Sequence, residues 1–175
     1  TQEILPKLLP GGRLYSVDVD PIELPRTEAR LRKLGFGPDQ LVIRRINFSE
    51  LATLLPEAGG GFDVVLADLG VSSMQIDNPA RGFSFKTDGP LDLRLDPSSG
   101  QSASELLLSV TRQRLRDLLV DNSDEPFAIP LAAALQGQYL ETTTQLADLV
   151  RQTLERTFKR TMPEEERLAE TKKVL

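Results

Sequence analysis

The 175 residues contain no cysteine and no histidine. The lack of cysteine excludes a disulfide scaffold, a thiolate nucleophile and a Cys-ligated zinc site within this chain. The lack of histidine excludes Ser-His triads, imidazole general bases and His-bound metals. These two absences remove most hydrolase chemistry and predict no metal site. The polar groups that remain for catalysis are Asp, Glu, Lys, Ser, Tyr and amide side chains.

Tryptophan is also absent, and the chain has only 2 Tyr and 7 Phe. This is too few for a broad aromatic platform that stacks single-stranded nucleic acid. The formal net charge is −5, from 21 basic and 26 acidic residues. Electrostatic coating of bare nucleic acid is therefore not expected, whereas specific or docked contact with RNA stays open.

Long apolar runs are missing as well, since no stretch approaches the roughly 18 residues of a membrane span. The first residues also lack a basic segment followed by a long apolar one. We therefore expect no membrane partner and a cytoplasmic location, meaning the bacterial cytosol or, in a eukaryote, the interior of an organelle. Hydrophobic residues make up 39% and charged residues 27%, which is typical of a globular protein.

The first part of the chain alternates between strand and helix patterns. The predicted strands and helices are Leu14–Val17, a helix from Asp20-Pro21 to Leu34, Leu41–Ile46, Glu50–Leu55 and Phe62–Asp68. Because Pro25 lacks a backbone donor, regular helix can begin later than Asp20. The order β-α-β-α-β predicts an α/β fold with right-handed crossovers and a parallel sheet that is buried on both faces.

The pattern changes at Gly70, where about thirty residues rich in Gly, Pro, Ser and Asp predict a long functional loop. Ser102 and Glu105 then form a capping-box pattern. The residues that follow predict helices at about 102–109, 112–121, 127–138 and 144–160, and a last charged helix from Pro163 whose residues 164–173 form a solvated face. We therefore predict a sheet domain over 1–101, which includes the loop, and a helical domain over 102–175.

Two positions after the first two strands are candidates for binding a nucleoside. Asp18 lies at the carboxyl end of its strand, where an acidic side chain can accept both hydroxyls of a ribose. The alternative is a helix N-cap, although Asp20 fills that role at least as well. Phe48 either stacks against an adenine edge or packs against the helix that follows it.

The residues after the third predicted strand form a more specific candidate site. Asp68 ends that strand, Gly70 allows close approach of a ligand to the backbone, and Ser72 adds a donor. Gln75 is near enough in sequence to contact the same ligand. The alternative is a glycine turn capped by serines.

The run from Asp68 to Pro97, DLGVSSMQIDNPARGFSFKTDGPLDLRLDP, closely resembles the signature of the MraW family of methyltransferases. Residues 12–21 and 47–49 are similar to the family's second and third strands, and residues 102–160 to its inserted helical domain. The resemblance covers roughly residues 11–160. It implies a Rossmann-like class I methyltransferase sheet, incomplete in these residues, with an inserted all-α domain.

The resemblance also implies a reaction and a set of site residues. The family uses S-adenosylmethionine to methylate the exocyclic N4 of a cytidine in small-subunit ribosomal RNA. Its cofactor contacts correspond to Asp18 at the ribose, Phe48 beside the adenine, and Asp68 and Gln75 around the pocket. Asp68 is also a candidate catalytic acceptor of an amine hydrogen. Residues that shape the RNA or target-base pocket, or that simply order the loop by salt bridges and packing, are Ser72, Arg81, Phe83, Asp88, Asp92 and Arg94.

Two parts of the family pattern fall outside residues 1–175. They are the glycine-rich loop that holds the methionine end of the cofactor and a C-terminal segment that returns to the sheet. We expect these 175 residues to be inactive by themselves and the complete protein to be the enzyme. Because the net charge is negative, we expect the partner to be ribosomal RNA in an assembled or partly assembled particle instead of naked RNA. The alternative is an inactive or truncated relative that serves as a ribosome-binding module.

Overall fold

The structure is a computed structural model that describes residues 1–158 and Glu166. The helix predicted from Pro163 and the charged face predicted for 164–173 lie outside the described residues, apart from Glu166, which is exposed. The chain divides into two compact units, Thr1–Leu69 and Gly70–Leu175, called here the N-terminal and C-terminal units. None of the described helices has the length and apolar character needed to cross a membrane.

The N-terminal unit is built on two parallel strands, β1 (Leu14–Asp18) and β2 (Leu41–Arg45). Helix α1 (Glu23–Lys33) connects them, and their register pairs Leu14 with Leu41 and Asp18 with Arg45. A small apolar core lies between these elements and contains Leu5, Leu31 and Leu41. The predicted α/β class and the parallel pairing are confirmed.

The start of α1 follows from Asp20 and the prolines around it. The Asp20 carboxylate is fully buried, and its Oδ1 accepts hydrogen bonds from the backbone amides of Ile22 (2.8 Å) and Glu23 (3.0 Å). Asp20 thus satisfies two amides that the helix itself leaves without acceptors. Regular helix begins at Glu23, later than Asp20-Pro21 alone suggests, as expected from Pro25. It ends before Gly35, whose φ of 92° suits glycine.

The prediction of a third strand at Phe62–Asp68 is wrong. The structure shows no regular secondary structure there, and Val64, Val65 and Leu66 are 82%, 64% and 74% exposed instead of buried. The apolar run has strand-like composition, but a strand also needs a neighbour that accepts its backbone hydrogen bonds. In the described residues, β1 and β2 pair with each other and neither pairs with this segment. The sheet therefore has two strands instead of three.

In its described residues, the C-terminal unit is a helical bundle. Its longer helices are α3 (Ala103–Ser109), α4 (Arg112–Ser123), α5 (Ala128–Leu135) and α6 (Thr143–Phe158). Ser102 caps α3 by accepting from the amide of Glu105, and the Glu105 carboxylate accepts from the amide of Ser102, so the capping box is confirmed. The core residues of this bundle include Leu107, Leu115, Leu131, Val150, Leu154 and Phe158.

The loop from Gly70 to Gly100 belongs to this C-terminal unit. It contains a short helix, α2 (Ser73–Ile76), and a 3₁₀ turn at Pro79–Arg81. Leu91 is 2% exposed and packs in the core of the bundle, and the carbonyls of Leu91 and Asp92 accept from the amides of Ser104 and Ala103. The units therefore divide after Leu69, earlier in the chain than the predicted boundary between residues 101 and 102.

Candidate functional site

Asp18 lies at the carboxyl end of β1 with an exposed side chain. Its Oδ1 accepts one hydrogen bond, from the backbone amide of Asp20 at 3.0 Å. Because Asp20 serves the start of α1, Asp18 is not needed as the helix cap. A carboxylate has about four acceptor positions, so Asp18 keeps the capacity to accept two hydroxyl groups.

Phe48 begins the 3₁₀ helix Phe48–Leu54, just beyond the end of β2. Asn47 caps this helix together with Glu50, which fixes the turn that carries the ring. Phe48 is 61% exposed, so much of its ring surface is open to solvent. Since β1 and β2 are parallel and Asp18 pairs with Arg45, Phe48 and Asp18 both lie at the same edge of the sheet.

Asp68 lies near the end of the N-terminal unit, in the extended segment that follows Phe62. Its side chain is exposed, and within the described part of the chain it takes part in neither a hydrogen bond nor an ion pair. The carboxylate is thus available to solvent or to a ligand. It does not end a strand, in contrast to the position predicted for it.

Ser72 and Gln75 hold the short helix α2 together. The Oε1 atom of Gln75 accepts from the amide of Ser72 at 2.7 Å, and the Ser72 hydroxyl accepts from the amide of Gln75 at 3.3 Å. Gln75 is 5% exposed, which is unusual for an amide side chain at the surface of a loop. This reciprocal cap fixes the turn just after Gly70, where φ is 130°.

The loop Gly70–Gly100, called here the signature loop, contains most of the MraW-like run. Arg81 is only 4% exposed and lies inside this loop. One of its terminal nitrogens donates to the carbonyl oxygens of Leu95 at 2.7 Å and Arg94 at 3.3 Å. Its guanidinium also lies 5.7 Å from the centre of the Phe83 ring. The side chain therefore links the start of the loop to its end.

Asp92 and Arg94 form a bidentate ion pair within the same loop. The Arg94 Nε and a terminal nitrogen donate to the two carboxylate oxygens at 2.8 Å and 2.6 Å. These hydrogen bonds from Arg94 lower the pKa of Asp92 below its ordinary value of 3.8, and the pair raises the pKa of Arg94. Arg94 also donates to the carbonyl of Gly100, so the pair closes the end of the loop.

Asp88 contacts the beginning of α6, far along the chain. Its Oδ1 accepts a short hydrogen bond from the hydroxyl of Thr144. The hydrogen bond from Thr144, with a smaller contribution from the nearby Thr142 hydroxyl, lowers the pKa of Asp88, although its side chain is exposed. Asp88 therefore links the signature loop to the first turn of α6.

Sequence reasoning did not single out the two glycines that allow the loop to fold back on itself. A Cβ atom at Gly82 would lie 2.1 Å from the carbonyl oxygen of Pro90, and one at Gly89 would lie 2.0 Å from that of Pro79. It also missed Thr142 and Thr144 as partners of the loop. Nothing local in the sequence marks either pairing, because the contacting residues are distant in the chain.

The structure thus places the predicted residues in two groups. Asp18, Phe48 and Asp68 belong to the N-terminal unit, and the first two share a sheet edge. The others belong to the C-terminal unit, where they stabilise or line the signature loop; they are Ser72, Gln75, Arg81, Phe83, Asp88, Asp92 and Arg94.

Comparison with known proteins bears on both groups. A sequence model of the MraW methylase family matches residues 1–168. This chain belongs to the MraW methylase family. The Rossmann-like class I methyltransferase fold of that family accounts for the parallel β1–β2 pair.

Several relatives of this MraW family member are named as ribosomal RNA small subunit methyltransferases. The chain is 48% identical to ribosomal RNA small subunit methyltransferase H 1 of Lachnoclostridium phytofermentans, over 99% of the chain and 47% of the relative. A protein of the same name from Agathobacter rectalis is 50% identical over 89% of the chain and 46% of the relative. Ribosomal RNA small subunit methyltransferase H of Leptothrix cholodnii is 43% identical over 84% of the chain. The chain spans about half the length of the curated relatives it matches.

Proposed function

We propose that this chain is part of an S-adenosylmethionine-dependent enzyme that methylates the exocyclic N4 of a cytidine in small-subunit ribosomal RNA. The observation that carries the proposal is the family match over residues 1–168, together with relatives that are named for ribosomal RNA methylation. The resemblance of the signature loop to the MraW motif supports N4 of cytidine as the target. The cytoplasm of a bacterium, or the interior of an organelle, is the compartment that holds such RNA.

The residues at the edge of the sheet fit the adenosine part of this cofactor. Asp18 is exposed and has unused acceptor positions, as binding of two ribose hydroxyls requires. The exposed ring of Phe48 at the same edge offers a face for the adenine. When bound, the cofactor supplies an electrophilic methyl group on a sulfonium sulfur.

We assign the remaining cofactor contacts to Asp68 and Gln75, and the role of proton acceptor to Asp68. The N4 amine of cytosine is a weak nucleophile because its lone pair is delocalised into the ring, so positioning must supply much of the rate. Asp68 is exposed and can accept an amine hydrogen as positive charge develops on the nitrogen. This role needs neither histidine nor cysteine, and neither occurs in the chain.

The signature loop in this proposal forms the pocket for the flipped cytosine. The buried Arg81 and the Asp92–Arg94 pair support the pocket by fixing the path of the loop. Ser72 and Phe83, which are half-buried, are candidates for contact with the base or its ribose. Asp88 holds the loop to Thr144 of α6.

The proposal is tested with the full-length protein that contains this chain. Small subunits that lack the modification, and naked RNA of the same sequence, are incubated with methyl-labelled cofactor, and the nucleosides are identified by mass spectrometry. We expect N4-methylcytidine at a single position and faster methylation of the particle, since a chain of net charge −5 gains little from bare phosphates. Label on another atom or base contradicts the proposed reaction, and equal rates contradict the particle as substrate.

Two matched variants test the role of Asp68. Asp68→Asn removes the acceptor charge, while Asp63→Asn removes another exposed carboxylate from the other end of the same apolar run. We expect Asp68→Asn to lower methylation much more than Asp63→Asn does. Equal activities of the two variants would exclude Asp68 as the acceptor. A wild-type protein without saturable cofactor binding would instead support a ribosome-binding module.

A further inference from the structure

The Asp88 carboxylate and two threonines of the bundle form a contact that we call the Asp88 clasp, consisting of Asp88, Thr142 and Thr144. The Thr144 hydroxyl donates to Asp88 Oδ1, and the Thr142 hydroxyl lies 3.2 Å from that of Thr144. The hydrogen bond from Thr144, with the nearby Thr142 hydroxyl contributing less, favours the ionised carboxylate and lowers the pKa of Asp88. The clasp lies at the first turn of α6, where backbone amides and the helix dipole also favour a negative charge.

Backbone hydrogen bonds continue the contact along the loop residues that follow Asp88. The amide of Thr143 donates to the carbonyl of Gly89 at 2.9 Å, and the amide of Leu91 donates to the carbonyl of Glu141 at 2.8 Å. Pro90 and Thr142 pair in an antiparallel bridge between these bonds. The loop and the residues before α6 therefore pair like a short piece of sheet that begins at Asp88.

This pairing also restrains the part of the loop from Pro79 to Gly82. Gly89 and Pro90 lie against Pro79 and Gly82 so closely that no side chain fits between the two backbones. A shift of Gly89 and Pro90 toward the turn at Pro79–Arg81 must therefore move that turn as well, because the two backbones have no free space between them. That turn carries Arg81, whose guanidinium lies beside Phe83.

From this chain of contacts we infer that Thr144 is a positioning residue for methyl transfer, acting through the Asp88 carboxylate to hold the signature loop in its reactive shape. The inference rests on the proposed function, because the loop there forms the cytosine pocket. It assigns to the helical bundle a part in the reaction besides any contact with RNA. Asp88 is then a support for the pocket and does not touch the base.

A double-mutant cycle on the full-length protein distinguishes support from base contact. Thr144→Val, Asp88→Asn and the double variant are assayed for methyl transfer to small subunits under saturating and limiting substrate. We expect each single variant to lower kcat about tenfold with little change in KM for the particle or in affinity for S-adenosylmethionine, and the double variant to be no worse than either. Thr144→Ser, which keeps the hydroxyl, restores the rate.

Hydrogen exchange provides a second readout that does not depend on activity. We expect the amides of Leu91 and Thr143 to exchange faster in Thr144→Val and Asp88→Asn, and at the wild-type rate in Thr144→Ser. The control is Thr157→Val in the same helix, where, within the described residues, the lost hydroxyl donates to the helix carbonyl of Thr153 alone.

Three results would overturn the inference. One is unchanged exchange of the Leu91 and Thr143 amides in Thr144→Val, which means that Thr144 does not hold the loop. Another is additive loss of rate in the double variant, which means that Asp88 acts separately, for example on the base. The third is a loss of cofactor affinity equal to the loss of rate, which indicates general destabilisation. A wild-type protein that lacks the methylation activity refutes the proposed function instead, and the exchange measurement still decides the clasp.

Discussion

Gly82→Ala tests whether the close approach inside the signature loop determines its shape. The Cβ atom of an alanine would lie 2.1 Å from the carbonyl oxygen of Pro90 and 3.1 Å from the amide nitrogen of Asp92. Both neighbours are backbone atoms, so no side-chain rotation relieves the contact. The two parts of the loop would have to separate.

The expected loss of stability in Gly82→Ala has two contributions, and a matching substitution at a second glycine distinguishes them. Gly82 has φ of 73°, where an alanine costs about 1–2 kcal/mol, and forcing the backbones apart adds roughly 1–3 kcal/mol. Gly137 has φ of 75° but nothing within 4 Å of its Cβ position. Gly137→Ala therefore measures the backbone cost alone, and we expect Gly82→Ala to be more destabilising by about the second amount.

The assay is equilibrium unfolding in urea, followed by the far-ultraviolet circular dichroism of the helices. Midpoints are compared between variants that have the same m-value, so that a difference reports stability and not a change in the unfolded state. Equal losses of free energy of unfolding in Gly82→Ala and Gly137→Ala would show that the close approach adds no cost. A wild-type exchange rate at Leu91 in Gly82→Ala would show that the loop has not moved, and would contradict the expected separation.

Two further predictions concern charged residues. Asp18→Asn should weaken binding of S-adenosylmethionine by the full-length protein about tenfold or more in isothermal titration, because a neutral amide is a poorer acceptor for ribose hydroxyls, and unchanged affinity in a folded variant would refute the ribose assignment. Since Arg94 lowers the pKa of Asp92, the pair adds stability above the ordinary pKa of 3.8 and loses it as the pH falls through the lower folded value. Arg94→Gln should therefore reduce the fall in urea midpoint on acidification below about pH 4, and an unaltered pH profile would contradict this.

The helices were predictable because local signals mark their ends. Ser102 and Glu105 show the capping box of α3 in the sequence itself, and Gly35 shows where α1 stops. The strands β1 and β2 were predictable because short apolar runs lie on either side of a helix of suitable length. Each of these signals depends on residues within a few positions of each other.

The errors and omissions involve partners that are distant in the chain. The run from Phe62 to Asp68 has the composition of a buried strand, but composition does not show whether a neighbouring strand is present. The loop after Gly70 was predicted from its lack of periodicity, and its fixed path depends on Arg81 reaching the carbonyl of Leu95. Similarly, the sequence placed Asp88 in the loop without showing that Thr144 is its partner.

The exposed apolar run Val64–Leu66 also affects how this protein behaves in concentrated solution. Short segments of β-branched and aliphatic residues with free backbone groups tend to pair between molecules and aggregate. Asp63 and Asp68 flank the run, and charges in such positions oppose that pairing by repulsion between copies. We therefore expect Asp68 to oppose aggregation, separately from any part it has in methyl transfer. Activities of Asp68 variants should be expressed per monodisperse protein, since a loss through aggregation would otherwise be counted as a loss of catalysis.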